Sequence, residues 1–370
     1  MGYTRGRSIG INERTLYTAC LKKWEREHSF SLSSIYLTKE GIGVLQGLYI
    51  LDDFDLIYGS TYEEIGKLVN IYAPPQTRLT IRQNITLLKN ADVIFTGWGS
   101  PIFDNELLSA APNLKAVFYG AGSVKSIVTD EFWERNIKMT SAYAANAEPV
   151  VEFTLSQILF SLKRGWYFVI QSKKQQNHVN RVDVPGAYGT TVGIVSLGMI
   201  GKKVCELLKP FDVRVIAYDP YISQKEAEKL NLELCSLEEV FRHSDVVSVH
   251  TPWLKETEGL INGELLSSMK QNATFINTSR GAIVNEPEMI DVLKTRPDLF
   301  AILDVTYPEP PIEGSLLYTL DNVILTPHIA GSMSGECHRM GAYMLEELKR
   351  FVAGKELKWE ITKEKALIMA

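Results

Sequence analysis

From Thr191 to Gly331 the chain alternates between short apolar runs and segments of helical period, and no other feature restricts the fold as strongly. The runs are Val192–Val195, VRVIAYD, DVVSVHTP, ATFINTSRG, FAILDV and NVILTPHIAG, with SLEEVFRHS, GELLSSMK and EPEMIDVLKT among the helical segments between them. Runs this short and this rich in β-branched residues are read as strands. Strands that alternate with helices form a parallel sheet covered by helices. The six runs quoted make the strand count of a full Rossmann sheet. A shorter series of the same kind precedes it, through LYILDDFDLIYG, ADVIFTG and LKAVFYGAG, so a second α/β sheet is expected.

Between the two series, PVVEFTLSQILFSLKRGWYFV (Pro149–Val169) is read as one long apolar helix, followed by a polar, exposed connection. Together they place a domain boundary near residue 150. A chain of 370 residues has room for two domains. The tail MGAYMLEELKRFVAGKEL predicts a last helix that stops at Gly354. The first 45 or so residues carry one candidate helix, Leu16–Glu27, and no recognisable chemistry.

Composition removes several function classes. With 45% hydrophobic and 22% charged residues the chain is an ordinary globular one, and a net charge of −5 leaves no basic footprint for nucleic acid. No apolar run is long enough for a membrane helix. Charges interrupt every apolar stretch of MGYTRGRSIGINERTLYTACLKKWERE, so no secretory signal is expected there. Cys20, Cys205, Cys235 and Cys337 show no paired spacing. Reduced thiols in a cytoplasm are therefore expected, and no metal site.

Chemistry enters with TVGIVSLGMIG (Thr191–Gly201), a strand that turns into a helix. Ser196, Gly198 and Gly201 stand at the three glycine positions of a dinucleotide fingerprint, with serine at the first. At such a turn the backbone N–H groups around Met199 and Ile200 and the positive helix end converge where a pyrophosphate sits. Gly198 allows close approach of phosphate, and Gly201 lets the helix press on the strand. Ser196 fits there if its φ is negative. Asp219, at the end of the next strand, is placed for the ribose hydroxyls. It would repel a 2′-phosphate, and this favours NAD over NADP. An ordinary turn with tightly packed glycines is the plainer reading of the same residues.

Three further stretches end apolar runs: NTSRGAIVN (Asn277–Asn285), ILDVTYPEP (Ile302–Pro310) and ILTPHIAG (Ile324–Gly331). They place Arg280, Glu309 and His328 at the C-terminal rim of the sheet, where open α/β sheets bind ligands. A cation, a carboxylate and an imidazole beside a nicotinamide suit reduction of a 2-oxo acid. Any one of the three alone reads as an ion-pair or loop residue.

From about Asp92 to Gly354 the chain resembles the D-isomer-specific 2-hydroxyacid dehydrogenase family. The resemblance is carried by HTPWLKETEGLINGELLSSMKQNATFINTSRGAIVNEPEMIDVLK and by the spacing of Arg280, Glu309 and His328. It implies a Rossmann cofactor domain, residues 151–331, inserted into a flavodoxin-like α/β substrate domain, residues 1–150 and 332–370, with the catalytic cleft between them. It also implies roles. Arg280 holds the substrate carboxylate and polarises its carbonyl. His328 is the acid and base, and Glu309 fixes its orientation. Asp304 lies on the nicotinamide side, Thr251 and Pro252 along the adenosine–ribose path, Gly331 is a further cofactor-binding residue, and Thr278 and Ser279 approach the cofactor through backbone groups. A homodimer joined through the cofactor domains is implied too, with Val150–Trp166 a candidate interface.

Departures from the family pattern leave the substrate open. The substrate loop reads GAGSVKS (Gly120–Ser126) with no aspartate, so the N–H groups of Ala121, Gly122 and Ser123 are the expected carboxylate donors. Lys125 reads either as a solvated lysine or as a group for a second anion. In TGWGSP (Thr96–Pro101), Ser100 is a candidate substrate donor and Trp98 a candidate wall. Two rival functions stay open: a dehydrogenase of this fold acting on phosphite, and a scaffold or co-repressor that only senses NAD. Glu309 speaks against formate, whose dehydrogenases in this family have a neutral partner there.

Overall fold

The computed structural model describes residues 37–38, 41–42, 44–181, 183–230 and 232–369. The expected helix Leu16–Glu27 and Cys20 lie outside the described residues. The chain divides into two compact units. The first takes the segments up to Gly120, Ile127–Thr140 and Met344–Glu360; the second takes Ala121–Ser126, Ser141–Tyr343 and the chain from Ile361. A short antiparallel pair, β1 (Leu37–Thr38) and β2 (Gly41–Ile42), precedes the first sheet.

The first sheet contains β3 (Gln46–Ile50), β4 (Asn70–Ile71), β5 (Val93–Thr96), β6 (Ala116–Tyr119), β7 (Lys138–Ser141) and β15 (Glu360–Ile361). Its order is β15-β7-β6-β5-β3-β4, with β3 parallel to both β4 and β5, and β5 parallel to β6. Leaving out β15, this is the flavodoxin-like order, in which the first strand lies between the second and the third. Tyr49, Phe95 and Phe118 stack through its middle, with ring centroids 5.0 and 5.3 Å apart. The buried Tyr58 hydroxyl donates to the carbonyls of Thr96 and Phe118, at 2.9 and 2.8 Å.

The second sheet is β10-β9-β8-β11-β12-β13-β14, parallel throughout. Its strands are β8 (Thr190–Val195), β9 (Val213–Tyr218), β10 (Glu233–Leu234), β11 (Val246–Val249), β12 (Thr274–Asn277), β13 (Phe300–Leu303) and β14 (Val323–Leu325). The Rossmann strand order is present, with β14 as a seventh strand. The pattern of apolar runs missed β10, since two residues show no period. Both faces are covered. Helices α1 (Tyr143–Leu162) and α2 (Met199–Leu208) bury Val151, Ile158, Leu162, Val204, Cys205 and Leu208 against Val192 and Ile194. The opposite face packs Phe241, Leu265, Met289 and Leu293 on Val249, Phe275 and Leu303.

One expectation is corrected here. The long helix read at Pro149–Val169 begins earlier, at Tyr143, and stops at Leu162; a separate helix spans Gly165–Gln175. Arg164 between them adopts a left-handed φ of 50°. A Cβ on Gly165 would meet the Phe160 ring at 2.4 Å, so the chain turns back directly onto that ring.

Candidate active site

The loops that follow β8, β9 and β11 meet at the switch point of the second sheet, where the chain's winding direction reverses. Ser196 ends β8 with φ +76°, so the negative φ that serine favours is not what the turn uses. Its hydroxyl pairs with that of Thr251, 2.8 Å away at the end of β11. Asp219, after β9, accepts from the backbone N–H groups of Leu197 at 2.7 Å and Tyr221 at 2.8 Å. The turn is therefore fastened from both neighbouring strands.

Gly201 and Gly198 divide the work as the sequence suggests. A Cβ on Gly201 would stand 2.1 Å from the Ser196 carbonyl oxygen, so the helix and the turn touch there. A Cβ on Gly198 would meet nothing within 4 Å. Gly198 caps α2 without any side-chain hydrogen bond, leaving the first-turn amides of Met199 and Ile200 pointed at that open space. Free amides, a positive helix end and an uncrowded glycine fit a dinucleotide pyrophosphate.

At the other end of the rim, His328 Nδ1 and Glu309 Oε1 lie 2.6 Å apart, with both side chains roughly half-exposed. His328 has φ +54°, a second strained position. Its loop is held by Asp304, which is 2% exposed. One Asp304 oxygen accepts from the Thr326 hydroxyl at 2.6 Å and the Ile329 N–H at 2.9 Å; the other accepts from the Ala330 N–H at 2.9 Å. The backbone N–H of His328 also donates to the Asp304 carbonyl at 2.9 Å. Asp304, which the family resemblance puts on the nicotinamide side, also staples with its carboxylate the loop that presents the imidazole.

Arg280 follows β12. Its guanidinium donates to the Ser279 carbonyl at 2.7 Å. Burial lowers its pKa and the Glu309 charge works in the opposite direction, so the cation and the Glu309–His328 pair share one electrostatic neighbourhood. The buried Asn277 aims this turn: its side chain accepts from the Ser279 N–H and hydroxyl and donates to the Arg280 carbonyl at 3.0 Å. Thr278 pairs its hydroxyl with that of Thr154 at 3.1 Å. Asn277 was missed in the sequence because an amide at a strand end carries no motif.

The loop Ala121–Ser126 belongs to the same unit. The Ser141 hydroxyl donates to the carbonyls of Ala121 and Gly122, which turns that peptide stretch so that its N–H groups face away from Ser141. Asn146 accepts from the Ser332 N–H at 2.9 Å and lies against both Gly122 and Gly331, a junction of residues 186 apart that no sequence pattern announces. Lys125, on the surface, donates one hydrogen bond to the Trp253 carbonyl at 3.1 Å. Ser100 and Trp98 belong to the first unit, where the Ser100 hydroxyl donates to the carbonyl of Pro101 at 3.1 Å. His250, which precedes Thr251, is buried with Nδ1 unpartnered and Nε2 3.1 Å from the Ser248 hydroxyl. Burial pushes its pKa down to about 4.

A model of the NAD binding domain of D-isomer specific 2-hydroxyacid dehydrogenases matches residues 156–330. Residues 156–330 are an NAD binding domain of that family. NAD is its cofactor. D-3-phosphoglycerate dehydrogenase of Methanocaldococcus jannaschii is 30% identical over 294 residues, 79% of this chain and 55% of that protein. The chain spans about half the length of the curated relatives it matches. Among solved structures, the TT0316 protein of Thermus thermophilus covers 86% of this chain and all of its own at 27% identity, with a TM-score of 0.69. The NAD complex of a D-isomer specific 2-hydroxyacid dehydrogenase from Lactobacillus delbrueckii shares the fold, covering 85% of this chain and 100% of its own with a TM-score of 0.72 at 20% identity.

Proposed function

We propose that the protein is an NAD-dependent D-2-hydroxyacid dehydrogenase that works as a 2-oxo-acid reductase. The His328–Glu309 pair at 2.6 Å, in the electrostatic field of Arg280, carries this reading. NAD binds at the turn Ser196–Gly201 and supplies the hydride in its reduced form. Arg280 takes the substrate carboxylate in its fork and polarises the C2 carbonyl. His328 gives its proton to the carbonyl oxygen as C2 is reduced, and takes that proton back in the reverse direction. Glu309 holds the ring through Nδ1, leaving Nε2 to do the transfer. The N–H groups of Ala121, Gly122 and Ser123 supply the second hold on the carboxylate. Asp219 grips the adenosine ribose and so selects NAD, and Gly331, Thr251 and Pro252 line the cofactor's path.

The sheet of flavodoxin-like order serves as the substrate domain, residues 1–150 and 332–370. Helix α1 leaves Phe153, Leu159 and Phe160 partly exposed, and this apolar strip supports a homodimer formed through the cofactor domains. Among the described residues Cys205, Cys235 and Cys337 form no disulfide with one another, which supports a reducing cytoplasm.

NADH oxidation against a panel of 2-oxo acids tests the assignment. His328→Ala should lower kcat/KM about 10²- to 10⁴-fold while NADH still binds. Tight NADH binding with no turnover of any 2-oxo acid would favour the NAD-sensing scaffold instead.

A further inference from the structure

Two aromatic residues on the rim take no part in the chemistry just described. The rings of Trp253 and Tyr307 meet edge to face, with centroids 5.3 Å apart and planes at 68°. Both stay open to solvent, Trp253 at 39% and Tyr307 at 51%. Exposure alone does not set them apart, since Tyr188, Tyr221 and Tyr318 are more exposed; what does is that these two rings meet each other beside the catalytic rim. Each is anchored at its base. The Tyr307 N–H donates to Glu286 at 3.2 Å, the Trp253 indole N–H donates to Glu258 at 3.3 Å, and the Trp253 carbonyl accepts from Lys125 at 3.1 Å.

These anchors tie the pair to the site from two sides. Tyr307 stands two residues before Glu309, and the preceding Thr306 lies directly on the arginine turn: a Cβ on Gly281 would be 2.0 Å from the Thr306 carbonyl carbon. Lys125 stands two residues after Ser123, on the loop whose N–H groups are the second hold on the carboxylate. The chain of contacts therefore runs from Arg280 through Thr306 and Tyr307 to Trp253, then through Lys125 to Ser123.

We infer that Trp253 and Tyr307 form an aromatic shelf for the substrate's side chain, selecting an aryl-bearing 2-oxo acid over a phosphorylated one. The faces of aromatic rings carry negative charge density, so they accept another ring's edge and disfavour an anion. The cation that sequence alone offered for a phosphate, Lys125, is engaged with a carbonyl and acts as a positioning residue for Trp253. The inference rests on the reductase reading above and narrows it to a substrate class.

The full-length protein should be assayed with NADH against phenylpyruvate, glyoxylate and 3-phosphohydroxypyruvate, in wild type, Trp253→Ala, Tyr307→Ala and Lys125→Met. Phenylpyruvate should have the highest kcat/KM. Trp253→Ala should lower it about tenfold more than it lowers that for glyoxylate, chiefly through KM. Lys125→Met should reduce the phenylpyruvate preference in the same direction without raising or lowering turnover of the phosphorylated acid selectively. NADH titration of each variant, read by fluorescence, reports that the cofactor domain is folded. A preference for 3-phosphohydroxypyruvate that disappears in Lys125→Met would overturn the shelf and leave the reductase reading standing, as would equal losses on all three acids in Trp253→Ala. Failure of wild type to turn over any of the three acids would instead bring down the reductase reading itself.

Discussion

The turn after β8 and the loop after β14 face the same problem and solve it differently. Each puts a side-chain-bearing residue in the left-handed region, Ser196 at φ +76° and His328 at φ +54°, where such residues are strained by about 1–2 kcal/mol. Each is fastened by an aspartate that ends the neighbouring strand. Asp219 makes two bonds to backbone N–H groups and stays partly open to solvent. Asp304 is buried and makes three bonds to the loop it holds. An open carboxylate can shape a turn and still recognise a ribose. A closed one has given its acceptors to the loop, and what it fixes is the position of an imidazole.

The sharpest way to break that contrast is to remove both carboxylates in turn. Asp304→Ala leaves three donors without their acceptor, the Ala330 N–H buried and the Thr326 hydroxyl and Ile329 N–H partly buried, and should cost about 3–5 kcal/mol in urea unfolding, since each orphaned group costs about 1–3 kcal/mol when water only partly replaces the partner. Asp219→Ala should change stability by less than about 1 kcal/mol while weakening NAD binding about tenfold or more in calorimetry. If the two variants lose stability equally, the distinction between a positioning and a recognising aspartate fails.

Acid should act on the first turn through His250. His250 is buried and neutral, with its folded pKa lowered to about 4 against about 6.5 in the unfolded chain. The unfolded state therefore takes up the proton first. The stability this group contributes is complete above pH 6.5 and is lost as pH falls from there towards 4, by about 3 kcal/mol in all. Unfolding free energy measured across this window should fall less steeply in His250→Gln. Because Thr251 is its neighbour and holds Ser196, NAD affinity should also decline in the same window.

Ser196 gives the smallest effect. Serine to alanine keeps the strain and loses the bond to Thr251, so it should destabilise by about 1 kcal/mol; serine to glycine loses the bond but relieves the strain, and should be close to neutral. A thermal melt that ranks glycine below alanine would show that relief of strain at this turn is smaller than the chain freedom glycine adds to the unfolded state.

How much of this could be read beforehand depended on how far apart the cooperating residues lie in the chain. The two α/β sheets, the dinucleotide turn and the rim positions of Arg280, Glu309 and His328 follow from periodicity, from strand ends and from spacing within one sheet. Each of these is a local or regularly repeated signal, so the sequence by itself determined the fold class and named the residues at which cofactor binding and catalysis are expected. The φ of Ser196, the service of Asp304 to its loop, the break at Arg164 and the meeting of Trp253 with Tyr307 were decided only by the tertiary structure. They depend on which loops the sheet brings together: Lys125 reaches Trp253 across 128 positions and Asn146 reaches Ser332 across 186. Nothing in composition or period records a contact of that range, because it is packing around the parallel sheet that creates it.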